Sequence, residues 1–248
     1  MEMRITVVVP CYNSMKYVAE CLDSVLNQDY DDYVVWAYDN ESTDGTYEYL
    51  LERAKEHERL KVLQVPNVYK NGYREALEHV FENGDNDYIA FIASDDYIAH
   101  NYISKCMKII SHDPEKIKCI QSGIIGVQDG HRTGEQIHYY KSLNEFKQQC
   151  MVRSPVNTPT VIFHKSLWPI FQHTPALNSQ KLPIAGSEDY DQYCNLADNG
   201  VFIYPVNACL GYFYRWHEDQ STWKVHQDPN LKKYDQVIQE YWKKKWTL

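Results

Sequence analysis

The sequence lacks several features that would assign it to a class at once. Its seven cysteines form no CxxC pair and are odd in number, so they fit neither a zinc framework nor a disulfide scaffold and indicate reduced thiols in a cytosol. No apolar run approaches the roughly 20 residues that a membrane helix requires. The first ten residues, MEMRITVVVP, have no signal-peptide cleavage site. We therefore expect a cytoplasmic protein.

Positive charge is also scarce. The chain has 25 lysines and arginines against 34 acids, for a formal net charge of -9. Because nucleic acids require a basic binding surface, we expect no nucleic-acid partner. A chain of this charge that handles an anionic substrate needs a cation to mediate the contact. Its 248 residues, 44% of them hydrophobic and 21 of them tyrosine, suffice for one large α/β domain.

Short apolar runs alternate with helical patterns through the first hundred residues. Strands are predicted at 4–10, 33–38, 61–65 and 87–93, and helices at 17–26, 47–56 and 72–81. This alternation predicts βαβ units and a parallel sheet covered on both faces. Ligands bind such sheets beyond the carboxyl ends of the strands. We therefore expect the polar segments 10–13, 39–45 and 94–96 to converge at that edge.

The second half of the chain is less regular. Its pattern predicts a strand at 118–128, a turn-rich loop at 129–136 and a helix at 142–151. A further helix is predicted to end at Gly200, a residue type that favours helix C-termini. From Pro229 onward, apolar residues at helical spacing predict an amphipathic C-terminal helix.

Five segments together carry a recognisable pattern. In chain order they are TVVVPCYNSMKYVAECLDSVLNQDY, DNESTDGT, FIASDDY, GSEDYDQYCNLADNG and YRWHEDQST. Each segment alone is a weak signal, but the ordered set resembles family 2 glycosyltransferases of the GT-A fold. The resemblance extends over roughly residues 4–221, nearly the whole chain.

The resemblance implies an α/β, GT-A-like fold, which is a Rossmann-like, mostly parallel sheet flanked by helices, with a smaller acceptor-side region. The implied glycosyltransferase domain covers 1–226, with a nucleotide-sugar-binding half at 1–100 and an acceptor-binding half at 101–226, and a C-terminal amphipathic helix covers 227–248. The implied reaction moves a sugar, with inversion, from a nucleotide diphosphate donor to a hydroxyl. We expect a UDP-sugar as the donor and a glycan or a lipid-linked molecule as the acceptor.

The first candidate site is a pocket for the nucleotide base. Asp39 is the first polar residue after a buried strand, where a carboxylate can accept the imide N–H of a uracil, and Tyr12 offers a ring for stacking. The resemblance implies that Pro10, Tyr12 and Asp39 line this pocket, and we add Asn13 and Ser94 to the donor-binding residues. The family usually has Asp-Asp-Gly-Ser where this chain has DNES, which leaves the identity of the base open.

Cations for the diphosphate are the next requirement. Arg74 is assigned to the donor-binding residues, and Lys70, Arg215 and Lys224 are further candidates. For each of them, a salt bridge on the surface is the alternative role.

Asp95 and Asp96 are the candidate metal ligands. Mg²⁺ or Mn²⁺ on a carboxylate can bridge two phosphate oxygens and neutralise the leaving group. The family usually has Asp-x-Asp-Asp where this chain has Ala93, Ser94, Asp95 and Asp96, so the resemblance assigns the metal-binding acid to Asp95. His217 stands where some members supply a third ligand. A solvated turn and a packed histidine are the alternatives.

The catalytic residues are predicted at Glu188 and Asp189. Inverting transfer needs a base that takes the proton of the attacking hydroxyl, and the resemblance assigns this role to Asp189. We expect repulsion from Glu188 to raise the pKa of Asp189. The alternative is that both acids only complement the dipole of a helix start. Asp191 is the second candidate base, expected to point to solvent or to a helix neighbour.

The acceptor side is the least clearly marked. Thr158, Trp168 and Trp216 are candidate contacts, with a place in the core as the alternative. The C-terminal YWKKKWTL has two interpretations: a solvated helix end, or a weak contact that makes the protein peripheral at the inner face of an anionic membrane. The sequence predicts no oligomeric state.

Two other functions stay open. A nucleotidyltransferase also binds a metal-bound diphosphate on an α/β sheet, but it would need a glycine-rich, basic loop near the first strand, where this chain has VVVPCYNSMKY. A non-catalytic module that binds sugar nucleotides or glycans is the second alternative. Retention of Asp95 and Asp189 argues against it, whereas Ala93 keeps it open.

Overall fold

The computed structural model describes residues 3–66, 78–82, 86–182, 187–218, 220 and 231–247. Its strands, numbered in chain order, are β1 (Ile5–Cys11), β2 (Tyr33–Asp39), β3 (Leu60–Gln64), β4 (Tyr88–Phe91), β5 (Tyr97–Ile98), β6 (Cys119–Gln121), β7 (Ile124–Gln128), β8 (His131–Gln136), β9 (Ile162–His164), β10 (Tyr204–Pro205) and β11 (Tyr212–Arg215). Its α-helices are α1 (Val18–Leu26), α2 (Thr46–Glu56), α3 (Tyr102–Ile110), α4 (Leu143–Cys150), α5 (Trp168–Phe171), α6 (Pro175–Ser179), α7 (Glu188–Asp198) and α8 (Leu231–Trp246). Residues 78–82, the described end of the helix predicted at 72–81, are also helical.

The larger sheet has, within the described ranges, seven strands in the order β10-β6-β9-β4-β1-β2-β3. β1 is parallel to β2 and β4, β3 is parallel to β2, and β10 is parallel to β6. Only β9, which lies between β4 and β6, runs antiparallel to its neighbours. The prediction of an α/β fold with a mostly parallel sheet is therefore confirmed.

Helices cover both faces of this sheet. Along β1, Val7 and Val9 belong to a hydrophobic cluster with buried residues of α1 and α3, whereas Val8 belongs to a second cluster with residues of α4, α7 and α8. This division follows from the two-residue period of a strand, which points successive side chains to opposite faces. The run of β-branched residues in β1 is thus buried on both sides, as the sequence predicted.

A second, four-stranded sheet has the order β5-β11-β7-β8. The single strand predicted at 118–128 is wrong, because the chain leaves the larger sheet after β6 and enters the smaller one as β7. Ser122 and Gly123 separate the two strands, and a Cβ at Gly123 would lie 2.8 Å from a methyl carbon of Leu210. The backbone of the crossing is therefore packed closely against the Leu210 side chain.

Residues 131–136, predicted as a loop, form strand β8. Asp129 and Gly130 have φ angles of 50° and 77°, which suit a two-residue hairpin turn between β7 and β8. All six residues of β8 are exposed. Because both of its faces lie open, the strand lacks the apolar alternation that would have marked it in the sequence.

The predicted amphipathic C-terminal helix is confirmed as α8. Tyr234, Ile238 and Trp242 are buried on its inner face, and the Trp242 indole donates a hydrogen bond of 2.7 Å to Asp191 of α7. Trp246 donates to Asp198 of the same helix at 2.9 Å. Both tryptophans of the membrane interpretation therefore contact protein. None of the helices in the described part of the chain combines the length and apolar character needed to cross a membrane.

Candidate active site

The topology brings the predicted donor-binding segments to one edge of the larger sheet. β1, β2 and β4 are neighbours, and Cys11 at the end of β1 pairs in register with Asp39 at the end of β2. The Ser14 and Ser94 hydroxyl groups, which follow β1 and β4, lie 2.7 Å apart and link these two loops. This edge is the place where parallel sheets bind ligands.

Asp39 is fully buried at this edge. Its Oδ2 accepts hydrogen bonds from the Ser42 backbone N–H at 3.1 Å and from the Gln64 amide at 3.0 Å. Its Oδ1 is also buried but has no hydrogen-bond partner among the described residues. Since a buried polar atom without a partner is costly, Oδ1 is suited to accept a hydrogen bond from a ligand.

The loop after β1 is fixed to the loop after β2. Asn13 donates its backbone N–H to the Ser42 hydroxyl at 2.9 Å, and its side-chain oxygen accepts the Thr43 N–H at 2.8 Å. The adjacent Tyr12 is 45% exposed, so its ring is open to a stacking partner. Pro10 lies in β1 at the same end of the strand. These contacts hold the exposed Tyr12 ring beside the loop that carries Asp39.

Asp95 and His217 lie side by side at the end of β4. The Asp95 Oδ2 and His217 Nε2 atoms are 3.0 Å apart, and the Asp95 carboxylate is 29% exposed. The His217 ring packs against Tyr17 with a centroid distance of 4.5 Å. Its buried Nδ1 has no hydrogen-bond partner within the described ranges.

Asp96 differs from its neighbour, because it is fully buried. Its two oxygens accept hydrogen bonds of 2.8 Å each, from the Tyr212 hydroxyl and from the Arg215 backbone N–H. Burial raises the pKa of Asp96 well above its usual range, and the Asp95 charge adds to the effect. Both donors belong to β11, so Asp96 ties the loop after β4 to that strand, and Asp95 is the accessible acid of the pair.

Arg215 is engaged by protein groups on several sides. Its Nε donates to the Asp95 carbonyl at 2.7 Å, and a terminal nitrogen pairs with Glu20 at 2.6 Å. The guanidinium also lies over the rings of Tyr17 and Tyr97. Arg215 therefore has the salt-bridge role that was its alternative, and it is not a free cation for a diphosphate. The other predicted cations, Lys70, Arg74 and Lys224, lie outside the described residues.

Asp189 occupies the first turn of α7. Its Oδ2 accepts a hydrogen bond from the Thr158 hydroxyl, and its Oδ1 accepts the Tyr190 backbone N–H at 2.9 Å. Burial raises the pKa of Asp189, the Thr158 hydrogen bond opposes this shift, and the Asp235 charge adds to it. The predicted rise is confirmed, but its causes are burial and Asp235 instead of the predicted repulsion from Glu188. Glu188 itself is half-buried beside it.

Of the two positions expected for Asp191, solvent is wrong and a helix neighbour is confirmed. Asp191 is fully buried, and its oxygens accept the Leu177 backbone N–H at 3.0 Å and the Trp242 indole N–H at 2.7 Å. The residue thus joins α7 to α6 and α8, because the C-terminal helix covers this side of α7.

The acceptor-side candidates separate into three positions. Thr158 contacts Asp189 directly. Trp168 stacks on Phe81 with a centroid distance of 4.3 Å and belongs to the core. Trp216 borders a cavity of about 1190 Å³ that His217 also lines. Of the three candidates, Thr158 therefore lies beside a candidate site residue and Trp216 lies beside open space.

A metal centre would need several ligating side chains close together. They contain no group of three or more His, Cys, Asp or Glu side chains that could hold a metal ion. Asp95 and His217 form a pair, and a cation that acts on nucleotide phosphates needs few protein ligands because phosphate oxygens complete its shell. The pair therefore fits such a cation.

The chain is similar in sequence to a known protein family. The family model described as Glycosyl transferase family 2 matches residues 6–171, which is most of the chain. The chain belongs to glycosyl transferase family 2. The family resemblance predicted from the five segments is therefore confirmed.

Several known proteins are similar over most of this chain. Chondroitin synthase of Pasteurella multocida is 24% identical over 209 residues, which is 83% of this chain and 20% of that protein. S. aureus TarS 1-349 in complex with UDP-GlcNAc has a TM-score of 0.64 at 21% identity, over 88% of this chain and 60% of that one. The mannosyltransferase PcManGT from Pyrobaculum calidifontis, in complex with GDP-Man and Mn²⁺, has a TM-score of 0.60 at 18% identity. This match covers 92% of this chain and 61% of that one.

The two solved structures and the chondroitin synthase are informative about different properties of the chain. At such identities the two solved structures show the shared fold, and with it the GT-A prediction is confirmed. The chain spans about a fifth of the length of the chondroitin synthase that it matches.

Some contacts at the site were missed from the sequence. Gln64 pairs in register with Asp39, so the strand alignment could have pointed to it. Asp235 lies on the C-terminal helix and Tyr17 on an apolar helical stripe, so neither residue had such a signal in the sequence.

Proposed function

We propose that this protein is an inverting glycosyltransferase. It would transfer a sugar from a nucleotide diphosphate donor, with a UDP-sugar as the first choice, to a hydroxyl of a glycan or lipid-linked acceptor. The N-terminal half would bind the donor and the residues after 100 would bind the acceptor. Membership in glycosyl transferase family 2 supports the class of reaction.

The observation that carries the proposal is the buried Oδ1 of Asp39, which has no hydrogen-bond partner in the described part of the chain. This oxygen can accept a hydrogen bond from a uracil N3–H. The exposed Tyr12 ring lies on the adjoining loop, where a base can stack on it. The likeness to TarS, solved with UDP-GlcNAc, supports a uridine donor. PcManGT was solved with GDP-Man, and a guanine N–H could meet the same oxygen, so the base is decided by experiment.

Asp95 and His217 are the residues that would hold a divalent cation, Mn²⁺ or Mg²⁺. Such a cation supplies positive charge against the diphosphate as it leaves. The net charge of -9 and the pairing of Arg215 with Glu20 support a bound cation as a source of this positive charge. Asp96 would hold the Asp95 loop on β11 instead of contacting the cation.

Asp189 would act as the general base. It keeps partial exposure at the start of α7, and its raised pKa brings it nearer to the range in which a base exchanges protons efficiently. The acceptor hydroxyl would give its proton to Asp189 as its oxygen attacks the anomeric carbon and the bond to the nucleoside diphosphate breaks. The match to chondroitin synthase supports a glycan as the acceptor.

The first test measures thermal stabilisation by a panel of UDP- and GDP-sugars with Mn²⁺ present, since a ligand that binds the folded state raises the Tm. Asp39→Asn should lower the affinity for the donor that the panel selects about tenfold or more, because a hydrogen bond to a charged group contributes about 1.5–3 kcal/mol. Glu48→Gln, an exposed charge change in α2, is the matched control and should leave binding unchanged.

Three outcomes would redirect the proposal. If chelating the metal leaves donor binding unchanged, the metal has no part in the proposed function. Binding without turnover by any acceptor or by water favours the non-catalytic module. Release of pyrophosphate from a nucleoside triphosphate and a sugar phosphate favours a nucleotidyltransferase.

A further inference from the structure

We propose that Thr158 is a positioning residue that holds the carboxylate of Asp189 in the orientation in which it receives the acceptor proton. This inference rests on the proposed role of Asp189 as the base. It concerns a residue outside the acid pairs, on a different segment from the helix that carries the base.

The contact itself joins two distant parts of the chain. Thr158 opens the short helical turn Thr158–Thr160, and its hydroxyl donates to Asp189 Oδ2. The other oxygen is bonded by the Tyr190 N–H. A carboxylate bonded only by its own helix could rotate about its side-chain torsions, whereas a second donor from another segment fixes the plane of the group. Thr158 supplies that second donor.

The position of Thr158 is fixed in turn by Asn157, which is buried. The Asn157 backbone N–H donates to Gln121 Oε1 at 2.8 Å, and its side-chain amide donates to the carbonyls of Ser122 and Gln136 at 3.0 and 3.1 Å. Its side-chain oxygen lies 3.1 Å from His138 Nε2. A buried polar network with these groups bonded is rigid. The hydroxyl next to it is therefore aimed by a fixed frame.

The charged groups around Asp189 give this hydroxyl a second consequence. Asp235 of α8 faces the base and accepts a hydrogen bond of 2.7 Å from Ser187, and Glu188 adjoins it on α7. Burial and the Asp235 charge raise the pKa of Asp189, whereas the Thr158 hydrogen bond lowers it. A base must be ionised to accept a proton. Thr158 therefore opposes the protonation that its buried surroundings favour.

The test compares Thr158→Val with Thr158→Ser. Valine removes the hydroxyl and keeps the branched shape, while serine keeps the hydroxyl. The assay is the release of nucleoside diphosphate by hydrolysis of whichever panel sugar nucleotide is turned over fastest, with Mn²⁺, so that water takes the place of the acceptor. We expect Thr158→Val to lower kcat about tenfold at neutral pH and to move the acid limb of the kcat–pH profile to higher pH. Thr158→Ser should stay near wild type, and the donor KM should not change in either variant.

The results separate this inference from the proposed function. If Asp189→Asn keeps wild-type kcat, the proposed base is wrong. If Asp189→Asn is inactive but the acid limb of Thr158→Val stays in place, whether or not kcat falls, the positioning role is overturned. Thr158→Ala, which removes the hydroxyl and the branch, is the second variant should valine prevent folding, and the same shift is expected of it.

Discussion

Two pairs of adjacent acids, Asp95–Asp96 after β4 and Glu188–Asp189 at the start of α7, look alike in the sequence but are built differently. In the first pair, the second acid is buried and bonded on both oxygens by β11, while the first is partly exposed beside His217. In the second pair, the second acid keeps partial exposure and is bonded by a hydroxyl from a distant segment.

The place within a pair does not decide which acid is accessible: only the first acid is accessible at 95–96, whereas both acids at 188–189 keep partial exposure. Asp96 and Asp191 are both fully buried, and each accepts two hydrogen bonds that join separate elements. Asp95 and Asp189 also have protein partners, but both retain surface that a ligand can reach. Replacing members of these two groups should therefore have different consequences.

The largest effect is expected from Asp189→Asn. General base catalysis contributes about 10²- to 10⁴-fold to a rate, so kcat should fall by that factor while the affinity for the donor stays unchanged. Glu188→Gln removes the neighbouring charge and should change kcat only slightly, because burial and Asp235 set the pKa of Asp189. Steady-state kinetics on both variants measures the difference. Equal losses in the two variants would mean that the acids act as one unit.

The sequence was sufficient to predict the donor-side edge. β1 and β2 are apolar runs that end directly in polar residues, and the ends of neighbouring parallel strands must meet. Asp39 and Tyr12 could therefore be placed together from local pattern alone. The same local pattern could not reveal that Ser42 and Gln64 both donate to Oδ2 of Asp39 and leave Oδ1 without a partner among the described residues.

The acceptor side could be predicted much less well, because its contacts join segments far apart in the chain. Thr158 meets Asp189 across 31 positions, and Asp191 meets Trp242 across 51. No local periodicity encodes such pairs. The crossing from β6 to β7 was missed for a similar reason, since β6 pairs with β9 and β7 pairs with β11, both distant in the chain.

The next prediction compares Asp96→Ala with Asp95→Ala. Asp96→Ala leaves the Tyr212 hydroxyl and the Arg215 N–H without their acceptor, and each such buried group costs about 1–3 kcal/mol. Its free energy of unfolding should fall accordingly in urea titrations. Asp95→Ala loses one partly exposed hydrogen-bond contact with His217, and a typical hydrogen bond contributes about 0.5–1.5 kcal/mol. Its fold should therefore be destabilised less than that of Asp96→Ala.

The binding result of the same two variants should be reversed. Asp95→Ala should abolish the Mn²⁺-dependent part of donor binding, while Asp96→Ala should retain it at a temperature where the variant is folded. Titration calorimetry with and without chelator distinguishes them. Metal-dependent binding lost only in Asp96→Ala would exchange the roles that the structure suggests for the two residues.

The smallest effect concerns Asp191 and pH. Burial raises its pKa in the folded state above the value of about 3.9 for an unfolded chain. The folded state therefore binds this proton more tightly, and the resulting stability is complete below pH 3.9 and is lost as the pH rises through the folded pKa. The free energy of unfolding of wild type relative to Asp191→Asn should accordingly be larger at pH 4.5 than at pH 7.5, by urea titration.

Asp198, at the other end of α7, provides the control. Partial burial opposes ionisation there, but hydrogen bonds from Lys245 and Trp246 lower its pKa overall. Its stabilising contribution is present above the unfolded pKa and is lost only as the pH falls through the lower folded value. The difference between wild type and Asp198→Asn should therefore stay nearly constant from pH 7.5 to pH 4.5. A constant difference for Asp191→Asn as well would mean that its hydrogen bonds from Leu177 and Trp242 keep it ionised despite burial.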